Sequence, residues 1–337
     1  MLTFALSLAI YSNASAQSSG NVQYFTGHTG SINSVAFSPD GKLVLTGSAD
    51  GSARLWQWDT TASSAGKQIA AFSTPAGNIG VNSVAFSPDG KLVLTGGTDG
   101  VVRLWEATAA TAGKDIAEFS IPKGGASINS VAFSPDGKLI LTGSADGTAR
   151  LWDATASTPG KDIADFSTPK GSGGINSVAF SPDGKQVLTG STDGVVRLWD
   201  ATASTPGKDV ADFSAPKGSG GVNSVAFSPD GKQVLTGSTD GVARLWEVAS
   251  RSQQTKFDGH KGSVNSVAFS HSGLCALTGG DDSIAIAWDV QSGKALSLFS
   301  GHKDRVLSVA WAPNDDSILT GSADTTAALW NYSCRAK

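Results

Sequence analysis

Three sets of polar residues repeat with a spacing that suggests catalysis. Each set holds a His, a Thr, an Asp and a Trp, and the last three follow the His by 18, 22 and 28 residues. The sets are His28, Thr46, Asp50 and Trp56; His260, Thr278, Asp282 and Trp288; and His302, Thr320, Asp324 and Trp330. A Thr hydroxyl beside a His and an Asp matches a nucleophile, its general base and the group that orients the base.

The repetition itself argues against catalysis. An enzyme needs such a set once, whereas this chain has it three times, which favours a structural role. The sequence contains no nucleophile elbow, no phosphate-binding loop between a strand and a helix, and no His or Cys spacing typical of zinc sites. We therefore predict no catalytic residues, no metal and no cofactor.

The polar sets lie in a segment that the chain repeats seven times. Each copy begins at the Val of Val-Ala-Phe or Val-Ala-Trp and ends at a Trp 21 residues later. The copies span residues 35–56, 84–105, 131–152, 178–199, 225–246, 267–288 and 309–330. From each Trp to the next Val the distance varies from 21 to 28 residues, so the length variation is confined to one connection per repeat.

Within a copy, short runs rich in Val, Leu, Phe and Thr alternate with turn signals. "SVAFS" and "LVLTGS" are separated by Pro-Asp-Gly, Ala-Asp-Gly precedes "SARLW", and a variable connection leads to a run such as "DIADFS". Each repeat thus predicts four short antiparallel strands. A sheet this small cannot bury both of its faces alone, so the repeats are expected to stack face to face.

The runs "LTGSADGSARLWQ", "LTGSADGTARLWD" and "LTGSTDGVVRLWD" resemble the WD-repeat family over about residues 22–330. The resemblance implies an all-β fold, a seven-bladed β-propeller of four-stranded antiparallel blades. It also implies that the His, Thr, Asp and Trp of a set form a hydrogen-bonded brace within one blade. Blades 2–5 lack the His and keep Thr95, Thr142, Thr189 and Thr236, so we expect them to be less braced.

A count of strands predicts how the ring closes. Seven Phe residues end strands of the fourth type, and the first of them, Phe25, precedes the first blade. After Trp330 only "NYSCRAK" follows, which is too short for a fourth strand. We therefore predict that an N-terminal strand at about residues 22–26 completes the last blade, within a propeller domain of residues 17–337.

Partners of WD-repeat proteins commonly dock on the top rim around the central channel. The position before the first strand, which lines that rim in the family, is occupied by Asn33, Asn82, Asn129, Asn176, Asn223, Asn265 and, in the last blade, Leu307. This amide ring suits binding of a peptide or glycan; alternatively, Asn suits a turn that enters a strand. The repeats that depart most from the others predict a top-face patch for a partner, formed by Lys261, Asp281, Lys303, Asp304, Arg305 and Leu307.

Composition limits the partners and the compartment. The 337 residues carry a net charge of −4 with no clustered basic face, so we expect no nucleic acid partner. The apolar run at residues 2–10 is too short to span a membrane, and Ala14-Ser15-Ala16 follows it. We predict a signal peptide at residues 1–16 and an exported protein, periplasmic or secreted; the alternative is a cytoplasmic protein.

The two cysteines, Cys275 and Cys334, are too few to staple a fold of this size. We interpret one as a small buried side chain and the other as a tail residue, rather than as a disulfide.

Taken together, these features predict a monomeric, non-catalytic scaffold that binds a protein or peptide. A lectin-like module that uses the Asn rim is the first alternative. A propeller hydrolase or lactonase is the second, because "FSPDGK" also resembles segments of other bacterial propellers. Such an enzyme would need carboxylates or His side chains that converge on the channel.

Overall fold

The computed structural model describes residues 15–17, 22–58, 66–73, 79–107, 115–121, 125–155, 162–169, 173–202 and 209–334. All regular secondary structure in these ranges is β-strand. Among the same residues, none forms a helix long and apolar enough to cross a membrane. Two strands precede the first blade, β1 (Ser15–Gln17) and β2 (Val22–Phe25).

The remaining strands form seven antiparallel sheets in chain order, one blade each. Blade 1 contains β3 (Ile32–Phe37), β4 (Leu43–Ser48), β5 (Ser52–Gln57) and β6 (Lys67–Ser73); blade 2 contains β7 (Val81–Phe86), β8 (Leu92–Gly97), β9 (Val101–Glu106) and β10 (Asp115–Ser120). Blade 3 contains β11 (Ile128–Phe133), β12 (Leu139–Ser144), β13 (Thr148–Asp153) and β14 (Asp162–Ser167); blade 4 contains β15 (Ile175–Phe180), β16 (Gln186–Ser191), β17 (Val195–Asp200) and β18 (Asp209–Ser214).

Blades 5 and 6 are built in the same way, and blade 7 takes its fourth strand from the start of the chain. Blade 5 contains β19 (Val222–Phe227), β20 (Gln233–Ser238), β21 (Val242–Glu247) and β22 (Gln253–Asp258); blade 6 contains β23 (Val264–Phe269), β24 (Cys275–Gly280), β25 (Ile284–Asp289) and β26 (Ala295–Ser300). Blade 7 contains β27 (Val306–Trp311), β28 (Ser317–Ser322) and β29 (Ala327–Asn331), followed in the sheet by β2. The first strand of each blade lines the channel, and the fourth is its outer strand.

Local sequence explains the turn between the first two strands. In blade 1, Asp40 accepts hydrogen bonds from the Ser38 hydroxyl (2.7 Å) and from the backbone N–H of Lys42 (3.1 Å). Gly41 has a φ of 70°, a conformation that side chains with a Cβ rarely adopt. The Ser-Pro-Asp-Gly-Lys motif therefore encodes a fixed reversal of the chain at the end of the inner strand.

The hydrophobic core lies between blades, as the stacking argument predicts. Each outer-strand Phe packs against the Trp of the next blade, with ring centroids 5.6–6.2 Å apart. Neighbouring sheets approach closely where the second strand has Gly: a Cβ on Gly47 would lie 2.6 Å from Val84 Cγ1. Each sheet thus buries its faces against its two neighbours.

The predicted ring closure is confirmed. β2 pairs antiparallel with β29, from Val22 opposite Trp330 to Phe25 opposite Ala327. Phe25 is fully buried and its ring centroid lies 5.7 Å from that of Trp56 in blade 1. The first and last blades are therefore joined by main-chain pairing and by the same Phe–Trp contact as the other blades.

The N-terminal segment also adds a strand that the sequence did not predict. β1 pairs in parallel with β26, the outer strand of blade 6, which gives this blade five strands. β1 crosses the predicted cleavage point after Ala16. The rest of the predicted signal peptide, residues 1–14, lies outside the described part of the chain.

The interpretation of the cysteines as unpaired is wrong, because Cys275 and Cys334 form a disulfide. After β29 the chain turns back under blade 7, where the backbone N–H of Cys334 donates to the carbonyl of Asp315 (3.1 Å). The Asp315 carboxylate in turn accepts the backbone N–H groups of His271 and Ser272 in blade 6. These contacts bring the residues after β29 close to β24. Cys275 and Cys334 are 59 residues apart in the sequence, so their pairing could not be predicted from their spacing.

Candidate functional site

In blade 7 the polar set of His302, Thr320, Asp324 and Trp330 forms a continuous chain of hydrogen bonds. The indole N–H of Trp330 donates to Thr320 Oγ1 (2.9 Å), which lies 2.7 Å from His302 Nε2. His302 Nδ1 lies 2.9 Å from Asp324. Because a carboxylate only accepts, Nδ1 carries the proton and Nε2 accepts from the Thr hydroxyl.

Blades 1 and 6 repeat this geometry. The His–Thr distances are 2.8 and 2.7 Å, and the Trp–Thr distances are 2.9 and 2.8 Å. The Thr hydroxyl has the orientation of a nucleophile, but Thr46, Thr278 and Thr320 are all fully buried. A substrate has no access to an atom in this position, so these sets stabilise the blade. We call each set a polar brace.

Burial and hydrogen bonding shift the pKa values in the braces. Burial lowers the pKa of His28 and of His302, against the opposing effect of the Asp hydrogen-bonded to each. Burial of Asp50 would raise its pKa, but hydrogen bonds from Ser52, His28 and the Thr29 backbone outweigh it and lower the pKa to about 2. In blades 1 and 7 the ground state is therefore a neutral imidazole beside a carboxylate.

Blades 2–5 contain a substitute for the missing His, so the expectation of weaker bracing is wrong for their Asp. In blade 2 the Arg103 guanidinium, 6% exposed, lies 2.7 Å from Asp99, and in blade 4 Arg197 lies 2.7 Å from Asp193. Arg150 and Arg244 form the same pair with Asp146 and Asp240. The Trp–Thr hydrogen bond also persists in these four blades.

Sequence reasoning missed this role of Arg, although a signal is present. The Arg of "RLW" occurs in blades 1–5, whereas blades 6 and 7, which have the His, carry Ile286 and Ala328 at that position. Only blade 1 has both the His and the Arg. Its Arg54 is less buried than the Arg residues of blades 2–5, and its guanidinium lies 3.9 Å from the Asp50 carboxylate. The carboxylate at this position thus accepts a hydrogen bond from His in blades 1, 6 and 7 and pairs with Arg in blades 2–5.

The Asn residues do not precede the first strand but are the second residue of each inner strand. Their side-chain amides bridge neighbouring blades. Asn33, Asn82, Asn129, Asn176, Asn223 and Asn265 donate to the carbonyls of Val81, Ile128, Ile175, Val222, Val264 and Val306, at 2.9–3.1 Å. The amide ring therefore has a structural use that neither interpretation of the sequence included.

A second ring of hydrogen bonds crosses the same seams. The Ser hydroxyl of each inner strand accepts a backbone N–H from the next blade at 3.0–3.1 Å, at all seven seams. The Asn ring covers six seams. At the seventh, between blades 7 and 1, Leu307 stands where an amide would reach the carbonyl of Ile32, by analogy with the other blades.

The predicted patch belongs to the top loops and inner strands of blades 6 and 7, and its Leu307 is the second residue of β27, the position from which the Asn of the other blades reaches the next blade. The Asn265 amide donates both to Asp281 (2.9 Å) and to the carbonyl of Val306 (3.1 Å), which precedes Leu307. The side chains of Lys261, Lys303, Asp304 and Arg305 are exposed, whereas Asp281 and Leu307 are half-buried. The exposed part of the patch thus carries charges of both signs.

The braces hold the backbone of this patch in place. The backbone N–H groups of Lys261 and Lys303 donate to the brace carboxylates Asp282 and Asp324, each at 2.9 Å. The Asp304 carbonyl accepts a hydrogen bond from the Ser322 hydroxyl (3.0 Å). Asp304 and Arg305 also form an exposed ion pair at 3.9 Å.

The opposite end of the channel opens into a cavity of about 710 Å³. It is lined by the Val-Ala-Phe-Ser-Pro segments and their counterparts in all seven blades, and His271 is the one titratable side chain among the described lining residues. Within the described part of the chain, no group of three or more His, Cys, Asp or Glu side chains is placed to hold a metal ion.

The sequence was also compared with known proteins. It matches the family described as WD domain, G-beta repeat, seven times, at residues 19–57, 66–106, 113–153, 160–200, 207–247, 251–289 and 293–331. Each match begins at or before an outer strand and ends with the Trp-containing strand of the next blade, so repeat and blade are offset by one strand. No curated protein matches the chain.

Proposed function

Because this chain belongs to the WD domain, G-beta repeat family, we propose that it is a non-catalytic scaffold that binds a protein or peptide at the blade 6–7 patch. Propellers of this family typically act as protein-interaction scaffolds. The patch comprises Lys261, Asp281, Lys303, Asp304, Arg305 and Leu307. We expect the unbound protein to be a monomer.

The departure at Leu307 carries the proposal. Six blades use Asn at this position to bond the next blade, and the seventh gives up that hydrogen bond for a half-buried apolar side chain. A net hydrogen bond contributes about 0.5–1.5 kcal/mol, so Leu307 lowers stability at the seam that closes the ring. Loss of stability in favour of an accessible apolar group, within a charged patch, is typical of a binding site.

The physical character of the patch suits a protein partner. The charged residues of the patch provide electrostatic specificity, and the half-buried Leu307 provides an apolar area that a partner can cover. The backbone of the patch is fixed by the braces of blades 6 and 7, so little conformational entropy is lost on binding. At the positions that correspond to Lys303 and Arg305, blades 3–5 have only Gly or Ser: Gly125 and Ser127, Ser172 and Gly174, and Ser219 and Gly221.

Affinity capture with a charge-reversed variant tests the proposal. The whole protein and the variant K303E/R305E are used as baits, and captured proteins are identified by mass spectrometry. We expect a partner that the unmodified protein retains and the variant loses. The matched control, K138E/K185E, makes the same change in net charge at exposed Lys residues on turns at the other end of the blades.

The controls decide between specific binding and a general charge effect. Equal loss in both double variants would indicate nonspecific electrostatics, and equal retention in both would contradict the proposed patch. Leu307→Asn adds an independent test. We expect it to raise the melting temperature by restoring the hydrogen bond to Ile32, while it weakens partner capture.

We also propose that the protein is exported. The apolar run followed by Ala14-Ser15-Ala16 supports this, and so does the Cys275–Cys334 disulfide, since disulfides persist in oxidising compartments. N-terminal sequencing of the protein from its native host should find Gln17 first. An intact N-terminus together with two free thiols would contradict export.

The two alternatives have weaker support. A lectin-like site would use the Asn amides, yet each of them already donates to the next blade. A glycan array without hits would remove this alternative. A hydrolase needs converging acids or bases, and the lining of the lower cavity offers His271 alone among its described residues.

A further inference from the structure

The outer edge of blade 6 differs from the other blade edges in the structure. The backbone of β1 pairs in parallel with β26, with Ser15 opposite Ser297, Ala16 opposite Leu298 and Gln17 opposite Phe299. The other six sheets have four strands among the described residues. This edge therefore accepts an added strand, and the pairing of β1 gives the direction and register of that strand.

The same edge differs in charge. Five of the seven outer strands carry charged residues, which discourage strand addition: Lys67; Asp115 and Glu118; Asp162 and Asp165; Asp209 and Asp212; and Lys256 and Asp258. β26 reads "ALSLFS" and carries none. Where blades 2–5 have Glu118, Asp165, Asp212 and Lys256, it has Leu298.

The outer strand of blade 7, Val22–Phe25, is also uncharged, but it is already held at the ring closure and no further strand lies on it among the described residues. Among the strands that the structure describes, blade 6 is therefore the one that combines an uncharged outer strand with a further strand paired to it. An uncharged sheet edge on which a further strand pairs is a template for β-addition, in which main-chain hydrogen bonds supply the affinity.

We propose that β26 is a β-addition site for an extended, uncharged segment of a partner protein, which binds in parallel. In the uncleaved chain Ser15–Gln17 occupies this site. The inference rests on the proposed export, because cleavage after Ala16 removes two of the three residues of β1 and leaves the edge open.

The parallel direction favours a partner segment over a second copy of the chain. Two copies related by a two-fold axis present the same edge to each other, and such edges pair antiparallel. The occupant seen here is parallel and carries the sequence Ser-Ala-Gln. The expected ligand is therefore an extended segment with uncharged side chains.

Hydrogen exchange measured by mass spectrometry tests the proposal on the full, uncleaved chain. Ala16→Pro removes the central N–H of β1 and changes no residue of β2 to β29. We expect amides in residues 295–300 to exchange about tenfold faster in this variant, as loss of one or two net hydrogen bonds implies. A synthetic peptide of residues 11–19, added to the variant, should restore the protection.

Leu298→Asp in the Ala16→Pro background is the matched control, because three other blades carry an acidic residue at this position and fold in the same way. We expect the peptide to give this double variant no protection. Protection that persists in it, or none in A16P, would overturn the proposal. A dimer of A16P that L298D abolishes would assign the edge to a second copy instead and would also overturn it.

This test uses no cellular partner. It can therefore fail while capture at the blade 6–7 patch succeeds, and it can succeed while that capture fails. The two proposals are distinguished by their own readouts.

Discussion

At the scale of single residues, one carboxylate in each blade needs a partner, and the chain supplies it in two ways. In blades 1, 6 and 7 a buried His bonds the Asp and passes the contact on to Thr and Trp. In blades 2–5 a nearly buried Arg bonds the Asp directly. A partly buried carboxylate is costly when unpaired, so either solution stabilises the turn that the Asp occupies.

This substitution gives a prediction for Arg197. Replacing it with Leu leaves Asp193, which is 18% exposed, without its guanidinium, and we expect a loss of about 1–3 kcal/mol in the free energy of unfolding. Denaturant unfolding measures the difference. Arg54→Leu is the control, because His28 still bonds Asp50 in blade 1, and it should cost much less. Equal costs would mean that the His does not replace the Arg.

The braces also predict a dependence of stability on pH. The pKa values of His28 and His302 are lowered by burial, so the unfolded chain binds their protons more tightly than the folded chain does. Their contribution is complete above pH 6.5, the ordinary pKa of His, and is lost as the pH falls from there towards the folded value. We expect the melting temperature to decrease over this interval.

The measurement compares melting curves of the unmodified protein and of H28Q/H302Q at several pH values. Asp165 acts in the opposite direction, because burial and Asp162 raise its pKa to about 6, but it is present in both chains. The difference between the chains therefore isolates the two His residues. We expect the variant to be less stable at pH 7.5 and to lose less on acidification. Parallel curves would exclude this role.

The sequence predicted part of this residue chemistry. The spacing of His, Thr, Asp and Trp is a local pattern, so the three braces were recognisable. The role of Arg103 was not, because an Arg in a short strand also suits an exposed face. Asn176 was placed before its strand, but the amide reaches across to another blade, and contacts between repeats leave no pattern within one repeat.

At the scale of elements, the seams between blades decide stability. Each seam combines a Phe–Trp contact with a Ser hydroxyl that accepts a backbone N–H, and six seams add the Asn bridge. The strands and the closure were predictable from hydrophobic runs and a count of outer-strand Phe residues. β1 was not, because three uncharged residues have neither periodicity nor length.

The disulfide adds a covalent link near one seam and gives a further prediction. Cys275 in blade 6 and Cys334 after β29 are 59 residues apart. Reduction should therefore lower the free energy of unfolding by about 2–4 kcal/mol, because the unfolded chain gains conformational entropy. Thermal melts with and without reductant measure the effect. Cys275→Leu is the control, since Leu43 and Leu92 occupy the same position in other blades. Its melting temperature should not respond to reductant.

At the scale of the whole molecule, the propeller is a chain of nearest-neighbour contacts closed into a ring. An open array of repeats leaves two end blades with one uncovered face each, and in the ring every blade has two neighbours. Closure here depends on four residues of β2, which pair with β29 and carry Phe25 into the core between blades 7 and 1. A small element therefore has a large effect on the stability of the whole.

This argument predicts the effect of deleting residues 20–27. The deletion removes β2, leaves β29 as an unpaired edge, and exposes the pocket in which Phe25 is fully buried against Trp56. Truncation of a buried Phe alone costs about 3–5 kcal/mol, so we expect a larger loss and a clearly lower melting temperature. Deletion of residues 15–17 is the control: it removes β1 from the outer edge of blade 6, preserves the closure, and should leave the melt nearly unchanged. If the first deletion also left the melt unchanged, the ring would be held by contacts between the sheets alone, and the pairing of β2 with β29 would not contribute to its stability.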